Sequence, residues 1–279
     1  MGRRQPAIET ARSSRRSAAR PAPLLWRHIG KIQKRLRSAP RIALMIDFDG
    51  TLTGIQPRPE LAVLDTATRQ ALGRLAKHPR VRIWIVSGRQ LAVLRGLAGV
   101  DGVKCLGLHG WEGGIHRPLS RSRLRAIRRA KDEFRYALAG MRGLWIEDKG
   151  PVFVVHYRQA GVRNVVKARR IVRGLMPELG RGFRMVEGKK IWEILPAEVK
   201  GKGEAARSIL VRQPAGAFAI YLGDDVTDED AFGALPRALT VRVGRAARTA
   251  ARYRLRNPSE VREFLQRIDQ ALSQGGVAR

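Results

Sequence analysis

Cysteine is nearly absent from this chain: Cys105 is the only one among 279 residues. A lone thiol excludes an internal disulfide framework and fits a reducing compartment, so a cytoplasmic protein is expected. Long apolar runs are absent as well. No stretch suffices to cross a bilayer, and the first residues lack the apolar core of a secretory signal. A membrane partner is therefore not expected, and no internal repeat is visible. Acidic residues are scarce, with 24 Asp and Glu against 55 Lys and Arg, a net charge of +31. Hydrophobic residues, at 44%, are ordinary for a globular protein.

The excess charge is not uniform. Residues 1–38 carry 11 Lys and Arg against Glu9 alone, and residues 116–196 carry 20 against 7 acidic residues. The segments 39–115 and 197–279 together hold a surplus of only 8. A basic tail admits nucleic acid as a partner. A solvated Arg-rich surface is the simpler reading, and nucleic acid is not expected. The tail is also Arg/Ser-rich and poor in acid, as transit peptides are.

Against this background the few carboxylates gather in two places. Asp47-Phe48-Asp49-Gly50-Thr51-Leu52-Thr53 follows the apolar run Ile42–Ile46. Gly223-Asp224-Asp225-Val226-Thr227-Asp228-Glu229-Asp230 follows a second such run, 217–222. Each cluster stands where a buried strand should end, which is where open α/β sheets bind ligands. Oxygen ligands gathered there suit a hard cation such as Mg²⁺ working beside phosphate.

The intervening pattern supports that geometry. Strands are expected at Ile42–Ile46, Val81–Val86 and 103–108, with helices at Thr66–Lys77 and 90–97. Such alternation predicts βαβ units and a parallel sheet. From residue 116 the pattern changes. A long Arg-rich helix carries Leu124, Ile127, Phe134 and Leu138 on one face. Strands at 144–147 and 152–157 follow, then a second amphipathic helix, then a hairpin of 183–186 and 190–195 turning at Glu187-Gly188. This predicts a small α+β unit inserted at 116–196. The α/β pattern resumes with a helix at Lys202–Val211, strands at 217–222 and 240–243, and a last helix capped by Asn257-Pro258. Residues 1–25 read as disordered, 24–36 as a short basic helix, and 273–279 as a frayed end. The expected division is a tail at 1–38, a core at 39–115 and 197–272, and the insert at 116–196.

Several residues suit phosphoryl chemistry. Of two carboxylates two residues apart, one can attack phosphorus and bind Mg²⁺. The other can protonate a leaving oxygen and then activate water. An Asp-rich turn is the alternative for Asp47 and Asp49. Asp224 and Asp228 suit a metal, with Glu229 or Asp230 left to stabilise a helix N-terminus. Ser87-Gly88-Arg89 suits a phosphate oxygen or a plain N-cap. Lys200 and Lys202 suit either a transferring phosphoryl group or a solvated surface.

These segments, in this order, resemble the haloacid dehalogenase-like phosphatases, whose core is a Rossmann-like parallel sheet. The middle of the chain narrows the resemblance. Ile146-Glu147-Asp148-Lys149-Gly150 and Val155-His156-Tyr157-Arg158 look like the cap signature of trehalose-6-phosphate phosphatases. Gly107-Leu108-His109-Gly110, Trp192-Glu193-Ile194-Leu195-Pro196, Lys200-Gly201-Lys202 and Val241-Arg242-Val243-Gly244 fit the same family, over roughly residues 40–270. Gly54 stands where that family usually has proline.

The resemblance implies an α/β haloacid dehalogenase core with an inserted α+β cap, and a phosphatase acting on trehalose 6-phosphate in trehalose biosynthesis. It implies Asp47 as nucleophile and Asp49 as acid/base, with Thr51, Ser87 and Lys200 on the phosphoryl group. Mg²⁺ would be held by Asp47, the Asp49 carbonyl and Asp224, with Asp228 assisting. Arg89, His109, Glu147, Lys149, Arg158 and Glu193 would meet the substrate. His156 suits either the sugar or strand packing. A monomer is expected, with the trehalose-6-phosphate synthase as a further partner. Sucrose-phosphate phosphatase and phosphomannomutase share the core motifs without the Glu147, Lys149 and Arg158 set. A nucleic-acid binder on the same scaffold would have no need of the acidic site.

Overall fold

The computed structural model describes residues 22–56, 58–114, 118–246 and 248–274. The expectations of disorder over residues 1–21 and 275–279 lie outside them. A helix α1 (Ile29–Ser38) leads into strand β1 (Ile42–Ile46), which is buried at every residue. A strand covered on both faces cannot alternate polar and apolar, which is why this segment is apolar throughout. Helix α2 (Thr66–Lys77), strand β2 (Val81–Val86), helix α3 (Leu91–Ala98) and strand β3 (Val103–Leu106) follow. The start of α2 is fixed by Asp65, which accepts from the Thr68 N–H at 2.8 Å.

The chain then builds a second unit. Helix α4 (Arg121–Ala137), strands β4 (Trp145–Lys149) and β5 (Val152–His156), helix α5 (Val162–Glu178), and strands β6 (Phe183–Gly188) and β7 (Ile191–Pro196) form it. It returns through helix α6 (Lys202–Val211), strand β8 (Phe218–Gly223), helix α7 (Val226–Ala234), strands β9 (Leu239–Val243) and β10 (Tyr253–Leu255), and helix α8 (Pro258–Ser273). Asn257 caps α8 by accepting from the Glu260 N–H at 3.0 Å, as its sequence suggests.

The larger sheet is six-stranded, ordered β10-β9-β8-β1-β2-β3, with every described pairing parallel. The connections run one way from β1 through β2 to β3 and the other way from β8 to β10. β1 therefore lies at the point where strand order reverses, and its carboxyl end is the natural binding crevice. Two apolar layers flank the sheet. One joins β1, β2 and β8 to α2 and α8; the other faces α6 and α7. The smaller sheet is antiparallel, ordered β4-β5-β7-β6. One of its faces is closed by α4 and α5 through Ile127, Phe134, Phe153, Val155, Ala168 and Trp192. Its opposite face carries Val152 and Leu195 against Leu108 and Val199, a small apolar contact between the two units.

Two boundaries differ from the sequence reading. The helix expected in the basic tail is present, but it belongs to the core rather than to a tail: Leu25, Ile32 and Leu36 are buried in the apolar layer containing α8. Arg-rich composition hid a helix that needs only one apolar face. The segment also extends the sheet edge, the Arg254 N–H donating to the Pro23 carbonyl at 2.9 Å. The second difference is the β6–β7 turn. It falls at Lys189-Lys190, not at Glu187-Gly188, with Lys190 at φ 67°. No helix among the described residues is long and apolar enough to cross a membrane.

Candidate active site

The parallel register places the expected residues together. Ile46 of β1 pairs with Ile85 of β2 and Leu222 of β8. The loops that leave those three strands therefore bring Asp47, Ser87 and Asp224 to one end of the sheet. The chain turns immediately after Asp49 at Gly50, whose φ is 85°. A Cβ there would strike the Asp224 carboxylate, so only glycine permits the approach of the two acidic loops.

Asp47 is buried and accepts from Lys202 Nζ at 2.6 Å. Lys202 also donates to Asp228 Oδ1 at 2.8 Å, and the Tyr221 hydroxyl reaches the same oxygen at 2.9 Å. Burial pushes the Asp47 carboxyl well above the usual carboxylate range; Asp228 and Asp224 add to this, and Lys202 opposes it. For Lys202, burial disfavours the charge, but the Asp228 and Asp47 carboxylates outweigh it and hold the ammonium well above its ordinary value. Lys202 is thus a fixed positive charge beside Asp47.

This lysine corrects the sequence assignment. Lys200 is exposed, whereas Lys202 is buried at the base of the site. Between them Gly201 adopts φ 95° and opens α6, turning Lys202 inward. Spacing along a Lys-Gly-Lys-Gly stretch does not reveal that turn.

Asp49 points elsewhere. It receives a two-pronged contact from Arg89, with Nε on Oδ2 at 2.6 Å and Nη2 on Oδ1 at 2.5 Å. Arg89 therefore meets Asp49 rather than open space for a substrate. Ser87 is buried and accepts from the Arg89 N–H at 3.2 Å. Thr51 is buried, and its hydroxyl has no hydrogen-bond partner among the described residues. A buried hydroxyl left without a partner is costly, and a phosphate oxygen would satisfy it.

Asp47, Asp224 and Asp228 offer carboxylate oxygens within 4.8 Å of one another. Asp224 Oδ1 is buried and unpartnered, and burial raises the pKa of this carboxyl above its usual value. Both features fit a cation ligand. Asp228 differs. Its Oδ1 accepts from Lys202 and Tyr221, and its Oδ2 accepts from the Asp224 and Asp225 N–H groups. These four donors make Asp228 the brace of Lys202 and of the Asp224 loop, while its carboxylate remains one of the three that could hold a metal ion. Glu229 stands with Asp228 in the first turn of α7, as expected of a residue at the helix N-terminus, and also accepts from Arg242 at 3.2 Å and from the Ala250 N–H at 2.7 Å.

The second unit closes the site from above. Glu193 of β7 is buried and bonds His109 of the larger unit, Oε2 to Nε2, at 2.6 Å. Lys149 lies 3.6 Å from Glu193 Oε1 and donates to the Gly88 carbonyl at 3.2 Å. Burial alone would raise the Glu193 pKa, but His109 and Lys149 win and hold it at about 2. Glu147 bonds His156 at 2.8 Å; burial is again outweighed, and its carboxyl is held below the usual range. His109 adopts φ 58°, a left-handed conformation uncommon for a side-chain-bearing residue. Arg158 is exposed and donates to the Lys189 carbonyl at 3.4 Å. Sequence reasoning missed Lys189. Its Nζ reaches Asp224 Oδ2 at 2.6 Å because the hairpin turns at Lys189-Lys190.

A parallel sheet with acidic loops at its reversal point, under an inserted antiparallel sheet, defines a haloacid dehalogenase-like fold. The comparisons narrow it: the chain matches the trehalose-phosphatase family model over residues 45–259 and belongs to that family. It is 33% identical over 252 residues to the trehalose-phosphate phosphatase of Mycobacterium ulcerans, covering 85% of this chain. It is also 34% identical over 257 residues to a Mycobacterium tuberculosis protein described as an uncharacterized glycosyl hydrolase, of which it covers 19%. The C-terminal domain of Candida albicans trehalose-6-phosphate phosphatase superposes with a TM-score of 0.77 at 26% identity, over 89% of this chain and 99% of that domain. The chain spans 63% of the Mycobacterium ulcerans protein's length.

Proposed function

We propose that this chain is a Mg²⁺-dependent phosphatase that converts trehalose 6-phosphate to trehalose and phosphate. The observation that carries the reading is the meeting of two sets of groups. Asp47 and Lys202 lie at the end of the parallel sheet, and Glu193 and Lys149 of the inserted unit reach His109 and the Gly88 carbonyl of the larger unit. The lower set suits a phosphoryl group and the upper set suits sugar hydroxyls, which carboxylates bind as acceptors and lysine as a donor.

In this mechanism an Asp47 oxygen attacks phosphorus while the bond from phosphorus to the sugar 6-oxygen breaks. For this step Asp49 leaves its pairing with Arg89, takes up a proton and gives it to that oxygen, releasing trehalose and leaving phosphate on Asp47. Asp49 then takes a proton from water, the water oxygen attacks phosphorus, and the bond to Asp47 breaks. Phosphate leaves and Asp47 is restored. Lys202, Thr51 and Ser87 hold the phosphoryl oxygens, the ammonium offsetting charge that spreads over them. Asp47, the Asp49 carbonyl and Asp224 would hold Mg²⁺, which supplies further charge neutralisation on the phosphoryl group. The inserted unit acts as a cap that excludes bulk water, and its surplus of basic residues draws in an anionic substrate.

Phosphate release from trehalose 6-phosphate by the wild type and by Asp47→Asn, with and without Mg²⁺, tests the reading. Release by the wild type with Mg²⁺ alone is expected, with Asp47→Asn lower by at least about a thousandfold. Full activity in Asp47→Asn would overturn the nucleophile. Faster hydrolysis of sucrose 6-phosphate or mannose 6-phosphate would overturn the sugar.

A further inference from the structure

Trp145 opens strand β4 and is 51% exposed, the most open of the five tryptophans. It has no place in the chemistry above. Strand pleating puts it on the same face as Glu147 and Lys149. The cross-strand register confirms the face, since Trp145 pairs with His156 and Glu147 with Val154. The indole stacks flat on the His156 ring, with centroids 3.8 Å apart and planes within 1°. His156 is itself fixed by the 2.8 Å bond to Glu147. One face of the indole is therefore held by a clamped imidazole, and much of the rest meets solvent.

The face is graded along its length. Lys149 reaches the Gly88 carbonyl next to the phosphate-side loop. Glu193 and Glu147 come next, and Trp145 stands furthest out, level with His156. Each two-residue step on a strand is about 7 Å, on the scale of one pyranose ring. The charged groups thus serve the ring that carries the phosphate, and the aromatic group lies one ring beyond. Pyranose rings present a patch of C–H bonds on one face, and an indole offers a flat, electron-rich surface to them.

We propose that Trp145 is a stacking platform for the hexose remote from the phosphate and so helps distinguish a disaccharide phosphate from a monosaccharide phosphate. The proposal rests on the reading of trehalose 6-phosphate as substrate. Trp145 binds and positions that ring; it takes no part in proton or phosphoryl transfer.

The test uses the full chain as wild type, Trp145→Ala and Trp145→Phe, with kcat/KM measured for trehalose 6-phosphate, glucose 6-phosphate and p-nitrophenyl phosphate. Trp145→Ala should lose about five- to tenfold on trehalose 6-phosphate, mostly through KM, and at least several-fold less on the two smaller esters. Trp145→Phe should recover most of the loss. Equal losses on all three esters, or no loss on trehalose 6-phosphate, would overturn the proposal. A second readout covers a poorly folding alanine variant. Trehalose should quench tryptophan fluorescence in the wild type, and the quench should vanish in Trp145→Phe; the same quench in both proteins would also overturn it. If the wild type shows no preference for trehalose 6-phosphate over glucose 6-phosphate, the substrate reading itself fails and the platform fails with it. A preserved preference with an unaltered Trp145→Ala defeats the platform alone.

Discussion

The floor and the roof of this site are built differently. On the floor, Asp47, Lys202 and Asp228 are each at most 4% exposed and are joined by bonds of 2.6 and 2.8 Å from one ammonium. Every member comes from a loop or helix fixed by the parallel sheet. On the roof, Glu147 and His156 are only half-buried, and Glu193 and Lys149 complete their contacts with His109 and Gly88 across the gap. A floor that is buried and charge-matched is preorganised for one reaction. On the proposed reading, a roof that meets the floor through a small apolar contact and a few polar ones opens, admits a sugar and closes again. On the proposed function, chemistry and choice of substrate are thereby separated in space.

Breaking the floor should have the largest effect. Lys202→Met leaves the Asp47 and Asp228 carboxylates buried without their cation. It should cost about 3–5 kcal/mol in urea unfolding and at least about a thousandfold in kcat/KM on every phosphate ester tested. Lys200→Met, two residues away but exposed, should change stability by less than about 0.5 kcal/mol. Comparable losses in both variants would remove the distinction between the lysines.

Breaking the roof should be milder and selective. Glu193→Gln should cost about ten- to a hundredfold in kcat/KM for trehalose 6-phosphate and far less for p-nitrophenyl phosphate. A loss spread evenly over both esters would place Glu193 in the chemistry. Lys189→Ala probes a place where the roof touches the proposed ion ligand. With no ammonium on Asp224, Mg²⁺ should bind a few-fold more tightly by isothermal titration calorimetry, in keeping with the loss of one weakly exposed charge contact. Weaker binding in that variant would contradict a competition between Lys189 and the ion.

The smallest effect concerns acid. Glu193 is held at about 2 in the folded protein against an ordinary 4.5. A carboxyl depressed on folding adds stability that is complete above the unfolded value and is lost as pH falls through the folded one. Thermal midpoints should therefore drop between pH 4.5 and about 2, and Glu193→Gln should flatten that part of the curve. An unaltered acid limb would mean that the His109–Glu193 contact adds nothing to the stability of the closed form.

The floor was more legible in the sequence than the roof. Strands β1 and β8 are covered on both faces, so they read as unbroken apolar runs, and the carboxylates after them stood out in a basic chain. Their parallel register then brings Asp47, Ser87 and Asp224 together with no further information. What stayed hidden depended on backbone turns. The choice between Lys200 and Lys202 rests on the positive φ of Gly201, and the reach of Lys189 rests on where one hairpin turns. Asp228 does join the acidic cluster that its sequence suggests, but sequence shows only its carboxylate and not the four donors that also hold it. Helix α1 was read as part of a tail because Arg and Lys outnumber the few apolar residues, Ile32 and Leu36 among them, that anchor it.

The most direct test of a divided site is the ratio of kcat/KM for trehalose 6-phosphate to that for p-nitrophenyl phosphate, compared between Lys202→Met on the floor and Lys149→Met on the roof. The account predicts that Lys202→Met lowers both rates while holding the ratio within about threefold, and that Lys149→Met lowers the ratio by at least about tenfold. Ratios that move equally in the two variants would contradict it.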